Sequence, residues 1–340
     1  MKVLVTGSNG FIAGYLVAEL LEHGWEVVGI DNFGKYGRLS KSYDKHPNYT
    51  FVEGDAKDVA LLKKLIADCD HFIAMAAMIG GISYFHQFAY DLMAENERIM
   101  AAACDAAIWA HKNAKLKKLT VMSSSMVYEN ATVFPTPEGE ERKCPPPTST
   151  YGFQKLACEY FVQGAHEQYK LPYTILRPFN CVGIGERRAL TDVEIPSGNI
   201  KLALSHVVPD IVHKCLKGQD PLHLLGSGEQ VRHFTYGGDL GRGIALSLEH
   251  PKAVNEDFNI STPVATRIID LAELIWKKVQ GPNKPLRVTH DPPFPYDVQF
   301  RSPDVSKAER LLGYKADTSL DVMLDEVIPW IKEQVELGTI

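Results

Sequence analysis

The sequence contains no long apolar run. Its longest mainly apolar stretch, Phe72 to Ile82, is interrupted by Gly80-Gly81 and is too short to cross a bilayer. Paired cysteines are also absent: Cys69, Cys104, Cys144, Cys158, Cys181 and Cys215 are scattered, with no C-x-x-C spacing. That pattern argues against a zinc site or a disulfide framework and fits reduced thiols in a cytoplasmic protein with no metal. No charge of one sign dominates. Thirty-six Lys and Arg face 42 Asp and Glu, a net charge of −6, so nothing draws the chain toward nucleic acid or a membrane surface. No repeat or low-complexity tract is visible. The N-terminus, Met1-Lys2-Val3-Leu4-Val5-Thr6-Gly7, reads as a strand and not as a signal peptide.

What is present is alternation over 340 residues. Short β-branched runs at Val3–Val5, Glu26–Ile30, Thr50–Glu53, His71–Ala74, Lys118–Ser123 and Tyr173–Arg177 read as six strands. Helical patterns at Gly10–His23, Val59–Ala67, Ala89–His111 and Tyr151–Tyr169 lie between them. Strand–helix alternation predicts an α/β fold: a Rossmann-type doubly wound parallel sheet with helices on both faces. The alternation weakens near Phe179. This divides the chain into a dinucleotide-binding domain over 1–178 and a smaller C-terminal substrate lobe over 179–340, with some later segments returning to the first domain. Helices are expected at Val207–Leu216 and Ile269–Val279, and Gly281–Tyr296, with five prolines, reads as irregular.

Between the first strand and the first helix lies Thr6-Gly7-Ser8-Asn9-Gly10-Phe11-Ile12-Ala13-Gly14. Glycines there let the backbone turn tightly and approach a pyrophosphate at the helix N-terminus. The second strand ends at Asp31, about 20 residues beyond the loop, where a carboxylate accepts from a ribose hydroxyl. The same carboxylate repels a 2′-phosphate, so NAD is favoured over NADP, with Lys35 and Arg38 as opposing charges nearby. Asp55, after the third strand, is a candidate for the adenine amino group, with a strand-end turn as the alternative. The cofactor contacts are expected at Gly7, Asn9, Gly10, Phe11, Ile12, Asp31, Asn32, Asp55, Ala56 and Ala76, together with Tyr151 and Lys155.

The loop spacing departs from the usual G-x-G-x-x-G. With Ala76-Ala77, Ser123-Ser124-Ser125-Met126-Val127-Tyr128, Tyr151-Gly152-Phe153-Gln154-Lys155, Leu176-Arg177-Pro178-Phe179-Asn180, Arg232-His233-Phe234-Thr235-Tyr236 and Asp304-Val305-Ser306-Lys307-Ala308, it resembles the extended short-chain dehydrogenase/reductase family. These are the NAD-dependent nucleotide-sugar epimerases and dehydratases. The departures are Ala13 for the third loop glycine, Glu129 where Gly is usual, and His233 in place of Asp.

Tyr151 and Lys155 are four apart on a helix and share a face. A phenol, with an ordinary pKa near ~10, is a poor base at neutral pH. A nearby ammonium and an oxidised nicotinamide favour the phenolate, as a general base requires. Ser124, at the C-terminal end of its strand, is placed to hydrogen-bond the sugar hydroxyl being oxidised. The resemblance implies removal of hydride to NAD, a transient keto sugar, and return of the hydride.

Three enzymatic outcomes stay open at this point. Epimerisation, most simply at carbon 4, leads. A 4,6-dehydratase normally has a carboxylate just before the Val-Tyr, where this chain has Ser125 and Met126. A local resemblance of Ala76–Ile82 and Leu204–Pro209 to GDP-fucose synthase and GDP-mannose 3,5-epimerase makes His206 a candidate acid/base, but the partner cysteine of those enzymes falls on Met126. Glu129 and Cys181 are further acid/base candidates for these alternatives. His206 as a ligand of the substrate diphosphate is the competing role. A non-catalytic NAD-sensing regulator is the alternative of a different class.

The expected catalytic set is therefore Ser124, Tyr151, Lys155 and His206. The expected substrate contacts are Gly80, Ser125, Met126, Asn180, Arg232 and Arg301, the last three for the diphosphate of a UDP- or GDP-sugar. Asn96 is a candidate to orient Lys155 or substrate. Homodimerisation through the two long helices is expected from the resemblance.

Overall fold

The computed structural model of the chain describes residues 1–79, 88–186, 192–195, 198–201, 206–293 and 298–339. Gly80 lies outside these residues, as do parts of the Ala76–Ile82 and Leu204–Pro209 segments. Seven strands build the main sheet: β1 (Lys2–Thr6), β2 (Glu26–Asp31), β3 (Tyr49–Glu53), β4 (His71–Ala74), β5 (Lys118–Met122), β6 (Tyr173–Pro178) and β7 (Glu256–Ile260). Their spatial order is β7-β6-β5-β4-β1-β2-β3, and every neighbouring pair is parallel. The order reverses beside β1, and ligands of such sheets bind at the carboxyl ends of the strands near that switch point.

Successive residues of a strand face opposite sides of the sheet. In β1, Val3 and Val5 pack with α1 (Phe11–Glu22), while Leu4 faces the other layer. The first layer joins Leu16, Val17 and Leu20 of α1 to Leu240, Ile244 and Leu248 of a helix spanning Gly237–Glu249. The second layer holds α2 (Val59–Ile66), α3 (Ala89–Asn113) and α4 (Thr150–Tyr169). Ala102, Ala103, Ala106, Ala107 and Ala110 of α3 are buried there, and such small side chains let α4 approach closely.

The C-terminal lobe has its own core. Val208, Ile211 and Val212 of α5 (Val207–Leu216) meet Leu271, Ile275 and Trp276 of the Ile268–Gln280 helix and Leu324, Val327 and Ile331 of the Leu320–Glu336 helix. Tyr15 joins the lobes: its hydroxyl accepts the Ile184 N–H at 2.7 Å. A Cβ at Gly237 would lie 2.3 Å from Tyr15 Cε2, so only glycine admits that ring.

Two expectations from sequence are corrected. The main sheet has a seventh strand, β7, beyond the six expected, formed by one of the later segments that return to the first domain. Its opening pair Glu256-Asp257 hides the strand signal, yet these acids are paired with Lys307 and Arg177 while Phe258, Asn259 and Ile260 are buried. The proline-rich Gly281–Tyr296 segment contains a strand at Val288–Asp291 that pairs in parallel with Leu222–Leu225.

Candidate functional site

The glycine loop fits a dinucleotide pyrophosphate. Gly7 has φ of +69°, and a Cβ there would lie 2.9 Å from Ala76 Cα. A side chain is therefore excluded twice, by conformation and by contact. Thr6 Oγ1 accepts from the backbone N–H groups of Met75 and Ala76, each at 3.1 Å, which fixes Ala76 against the loop. Helix α1 begins after Gly10 with no side-chain cap and no acid in its first turn. Its first N–H groups have no carboxylate competing with an incoming phosphate.

Asp31 closes the loop. Its carboxylate accepts from Asn9 N–H at 3.0 Å and from Phe33 N–H at 2.7 Å. Burial raises its pKa, opposed by these bonds and by Lys41. Asn32 turns inward on its own loop, accepting from Gly34 N–H at 3.0 Å. Arg38, an opposing charge in the sequence argument, is paired with Glu53 at 2.7 Å. Burial lowers Lys35 to about 8, opposed by Glu186. Asp55, followed by Ala56, caps its own turn by accepting from Lys57 N–H at 2.8 Å.

The reactive wall lies at the C-terminal end of β5. Ser124 caps a short 3-10 turn, Ser125–Tyr128, by accepting from Met126 N–H at 3.2 Å. Helix α4 starts beside it. Its cap Ser149 accepts from Gly152 N–H at 3.1 Å and donates to Glu129 at 2.7 Å. This places Tyr151 in the first turn, 5% exposed, and Lys155 one turn later, 7% exposed. The Lys155 ammonium sits 6.0 Å from the Tyr151 ring centre and donates to Met122 O at 3.0 Å. A Cβ at Gly152 would lie 2.8 Å from Met126 O, so the start of α4, which carries Tyr151, abuts the turn that Ser124 caps.

Asn96 has a different task from the one considered. It clamps Met78, accepting from its N–H at 2.7 Å and donating to its carbonyl at 2.9 Å, and so fixes the segment after β4. Two acid/base alternatives are removed. Both oxygens of Glu129 are engaged by Ser149. Burial drives the Cys181 thiol well above its ordinary range, which disfavours the thiolate a base would need.

Opposite the wall is the lobe's rim. Arg301 reaches Met126 Sδ at 2.7 Å and Ser125 Oγ at 3.5 Å, so Ser125, Met126 and Arg301 do come together. Asn180 donates to His233 O at 3.5 Å, beside buried Arg232. His233 donates through Nδ1 to Thr262 O at 2.9 Å, and burial lowers its pKa, so it is neutral near pH 7. His206 caps α5 and is half-exposed. Its Nδ1 meets Glu186, a residue that drew no notice in sequence, and its backbone N–H donates to the same oxygen at 3.3 Å. Glu186 raises the His206 pKa, and the field of Arg301 opposes this. Among the described residues, no cluster of His, Cys, Asp and Glu is arranged to hold a metal.

The reversed strand order, the loop that only glycine permits and the Ser-Tyr-Lys wall define a dinucleotide-dependent enzyme of the extended short-chain type. The chain belongs to the NAD dependent epimerase/dehydratase family, whose model matches residues 3–261. It is similar to a putative UDP-glucose 4-epimerase of Methanocaldococcus jannaschii, 27% identical over 97% of this chain and 98% of that relative. It also resembles the structure of UDP-glucose 4-epimerase from Thermotoga maritima with UDP-glucose. That match has a TM-score of 0.78 and 28% identity, covering 98% of this chain and all of the other. The structure of UDP-glucuronic acid 4-epimerase from Bacillus cereus, in complex with UDP-glucuronic acid and NAD, gives a TM-score of 0.80 and 26% identity. It covers 98% of this chain and 99% of that one.

Proposed function

We propose that the chain interconverts UDP-sugars epimeric at carbon 4, through a transient keto sugar. The observation that carries this is the Tyr151–Lys155 pair on one buried helix face, set against the Ser124 turn at the end of β5. Gly7, Asn9, Gly10, Asp31 and Ala76 would hold NAD, with Phe11 and Ile12 opening the helix behind its pyrophosphate and Asn32, Asp55 and Ala56 bordering its adenosine. Bound NAD supplies one chemistry, the reversible acceptance of a hydride from the sugar.

The protein's own part is proton transfer and positioning. Ser124 hydrogen-bonds the 4-hydroxyl, and Tyr151 takes its proton as the carbonyl forms. The positive charge of Lys155 stabilises the phenolate. On the return, Tyr151 gives the proton back. Inverting carbon 4 requires the keto sugar to present its other face, so the hold must come from the diphosphate and not from the hexose. Asn180, Arg232 and Arg301 supply that hold, with Ser125 and Met126 forming the floor. Nothing comparable to a carboxylate stands at Ser125 or Met126, so elimination of water lacks its acid. We assign His206 to the diphosphate and not to catalysis: paired with Glu186, it favours the imidazolium, which suits an anion and not a general base.

We further propose a homodimer formed by α3 and α4. Phe153 and Tyr160 lie seven residues apart on α4 and are 43% and 63% exposed, an aromatic stripe suited to a second copy of the same face. The free thiols support a cytoplasmic location.

The test is incubation of the purified protein, without added cofactor, with UDP-glucose and UDP-glucuronate in deuterated water. The expected product is the 4-epimer at unchanged mass with no solvent deuterium. Deuterium at carbon 3 or 5 would restore His206 as an acid/base, and loss of water would overturn the epimerase reading. Absence of turnover, with NAD retained, would favour a regulator.

A further inference from the structure

Helix α4 carries a third polar residue on its catalytic face. Tyr151, Lys155 and Glu159 are spaced four apart, so their side chains stack along one line of the helix. Glu159 is 1% exposed, and its partners Ser123 and Arg177 are 3% and 0% exposed. One carboxylate oxygen accepts from Ser123 Oγ at 2.5 Å and from Arg177 Nε at 2.8 Å, and the other accepts from Arg177 Nη2 at 2.7 Å. Arg177 continues to the Tyr128 hydroxyl at 2.7 Å and to Asp257 at 2.6 Å. The Tyr128 hydroxyl then donates to Asn259 Oδ1 at 3.0 Å.

This arrangement brackets the reactive turn. Ser123 immediately precedes Ser124, and Tyr128 ends the 3-10 turn that Ser124 caps. The turn is therefore bound to α4 at both ends, directly through Ser123 and through Arg177 at Tyr128. Lys155 adds a parallel tie to Met122 O. A buried ion pair is weak evidence for stability, because desolvation offsets its attraction, but a fully bonded one fixes geometry.

We propose that Glu159 is a positioning residue that sets Ser124 in register with Tyr151 by holding Ser123 and Arg177. It touches neither sugar nor nicotinamide. It acts on the spacing between the hydroxyl that binds the substrate oxygen and the phenol that takes its proton. This proposal rests on the Ser124–Tyr151 chemistry above. Misplacement by about 1 Å costs on the order of a hundredfold in such steps, and loss of one tether allows part of that.

The test uses S123A, which removes one hydroxyl and leaves the Glu159–Arg177 pair intact, together with E159Q and the double variant. Expected for S123A is a kcat about tenfold lower, with KM for the UDP-sugar and the melting temperature unchanged. The isotope effect on kcat from substrate deuterated at carbon 4 should rise as the chemical step becomes limiting. The double variant should lose less than the product of the two single losses, because Ser123 acts only through Glu159. Wild-type kcat in S123A, or additive losses that follow the melting temperature with no change in isotope effect, would overturn the proposal. Wild-type turnover measured alongside separates the cases. Its absence contradicts the parent chemistry, whereas wild-type turnover with an indifferent S123A contradicts the positioning role alone.

Discussion

The two sides of the cleft are built on opposite terms. On the sheet side, Ser124, Tyr151 and Lys155 are all under a tenth exposed, with Ser124 tied to the Met126 N–H and Lys155 to the Met122 carbonyl. On the lobe side, His206 is half-exposed at the start of a helix, and Arg301 spans the gap to Met126 and Ser125. The difference separates two tasks. Proton transfer needs fixed atoms, so its residues sit where packing determines them. Turning a keto sugar needs a hold on the diphosphate that leaves the ring free; of the groups proposed for it, Asn180 and Arg301 are half-buried at the rim and Arg232 is buried.

This division predicts effects that differ in kind. The largest belongs to the wall. Y151F should lower kcat by about 10³-fold, within the range for loss of a general base, with KM little changed; steady-state kinetics with UDP-glucose checks it. A loss confined to KM would place Tyr151 among the binding groups.

Next is a buried group at the far end of the same sheet. His71 opens β4, is 5% exposed, and lies 5.5 Å from the Trp25 ring. Burial and then the charges of Lys118 and Lys117 lower its pKa to about 4. With the folded pKa below the unfolded value, the unfolded chain binds more protons between those two values. Stability is therefore full above about pH 6.5 and falls as pH drops toward 4, by on the order of 3 kcal/mol. Denaturant titrations at pH 7 and pH 4.5 measure this, and H71F should flatten the slope. An unchanged slope would show that His71 is not responsible.

The rim effects are smaller. R301A should raise KM by roughly tenfold to a hundredfold, as expected for a lost charge-assisted pair, with kcat falling far less. H206Q should raise KM several-fold at pH 6.5. In wild type, KM should climb as pH rises through the elevated His206 pKa, because the imidazolium that favours the diphosphate is lost there. The variant's KM should lack that step. A kcat collapse in H206Q at constant KM would move His206 across the cleft into catalysis.

The wall was more legible in the sequence than the rim. Gly7, Asp31, Tyr151 and Lys155 announce themselves because their geometry is local: a strand-to-helix turn, a strand end, and one turn of helix. Glu159 was hidden because its meaning lies in Ser123, 36 residues away, and in Arg177 on another strand. Asn96 and Glu129 sit at positions that invite catalytic roles, yet both are spent on Met78 and Ser149. Glu186 drew no attention because its partner His206 lies 20 residues later. The seventh strand was missed because its opening residues are acids whose partners come from β6 and from Lys307.

The most direct measurement follows the hydrogen at carbon 4. UDP-glucose deuterated there should be converted by the protein alone, without added NAD, to its 4-epimer with the deuterium retained at carbon 4 in the opposite configuration. Exchange of that label into water, or its transfer to another carbon, would contradict removal and return of hydride within one site.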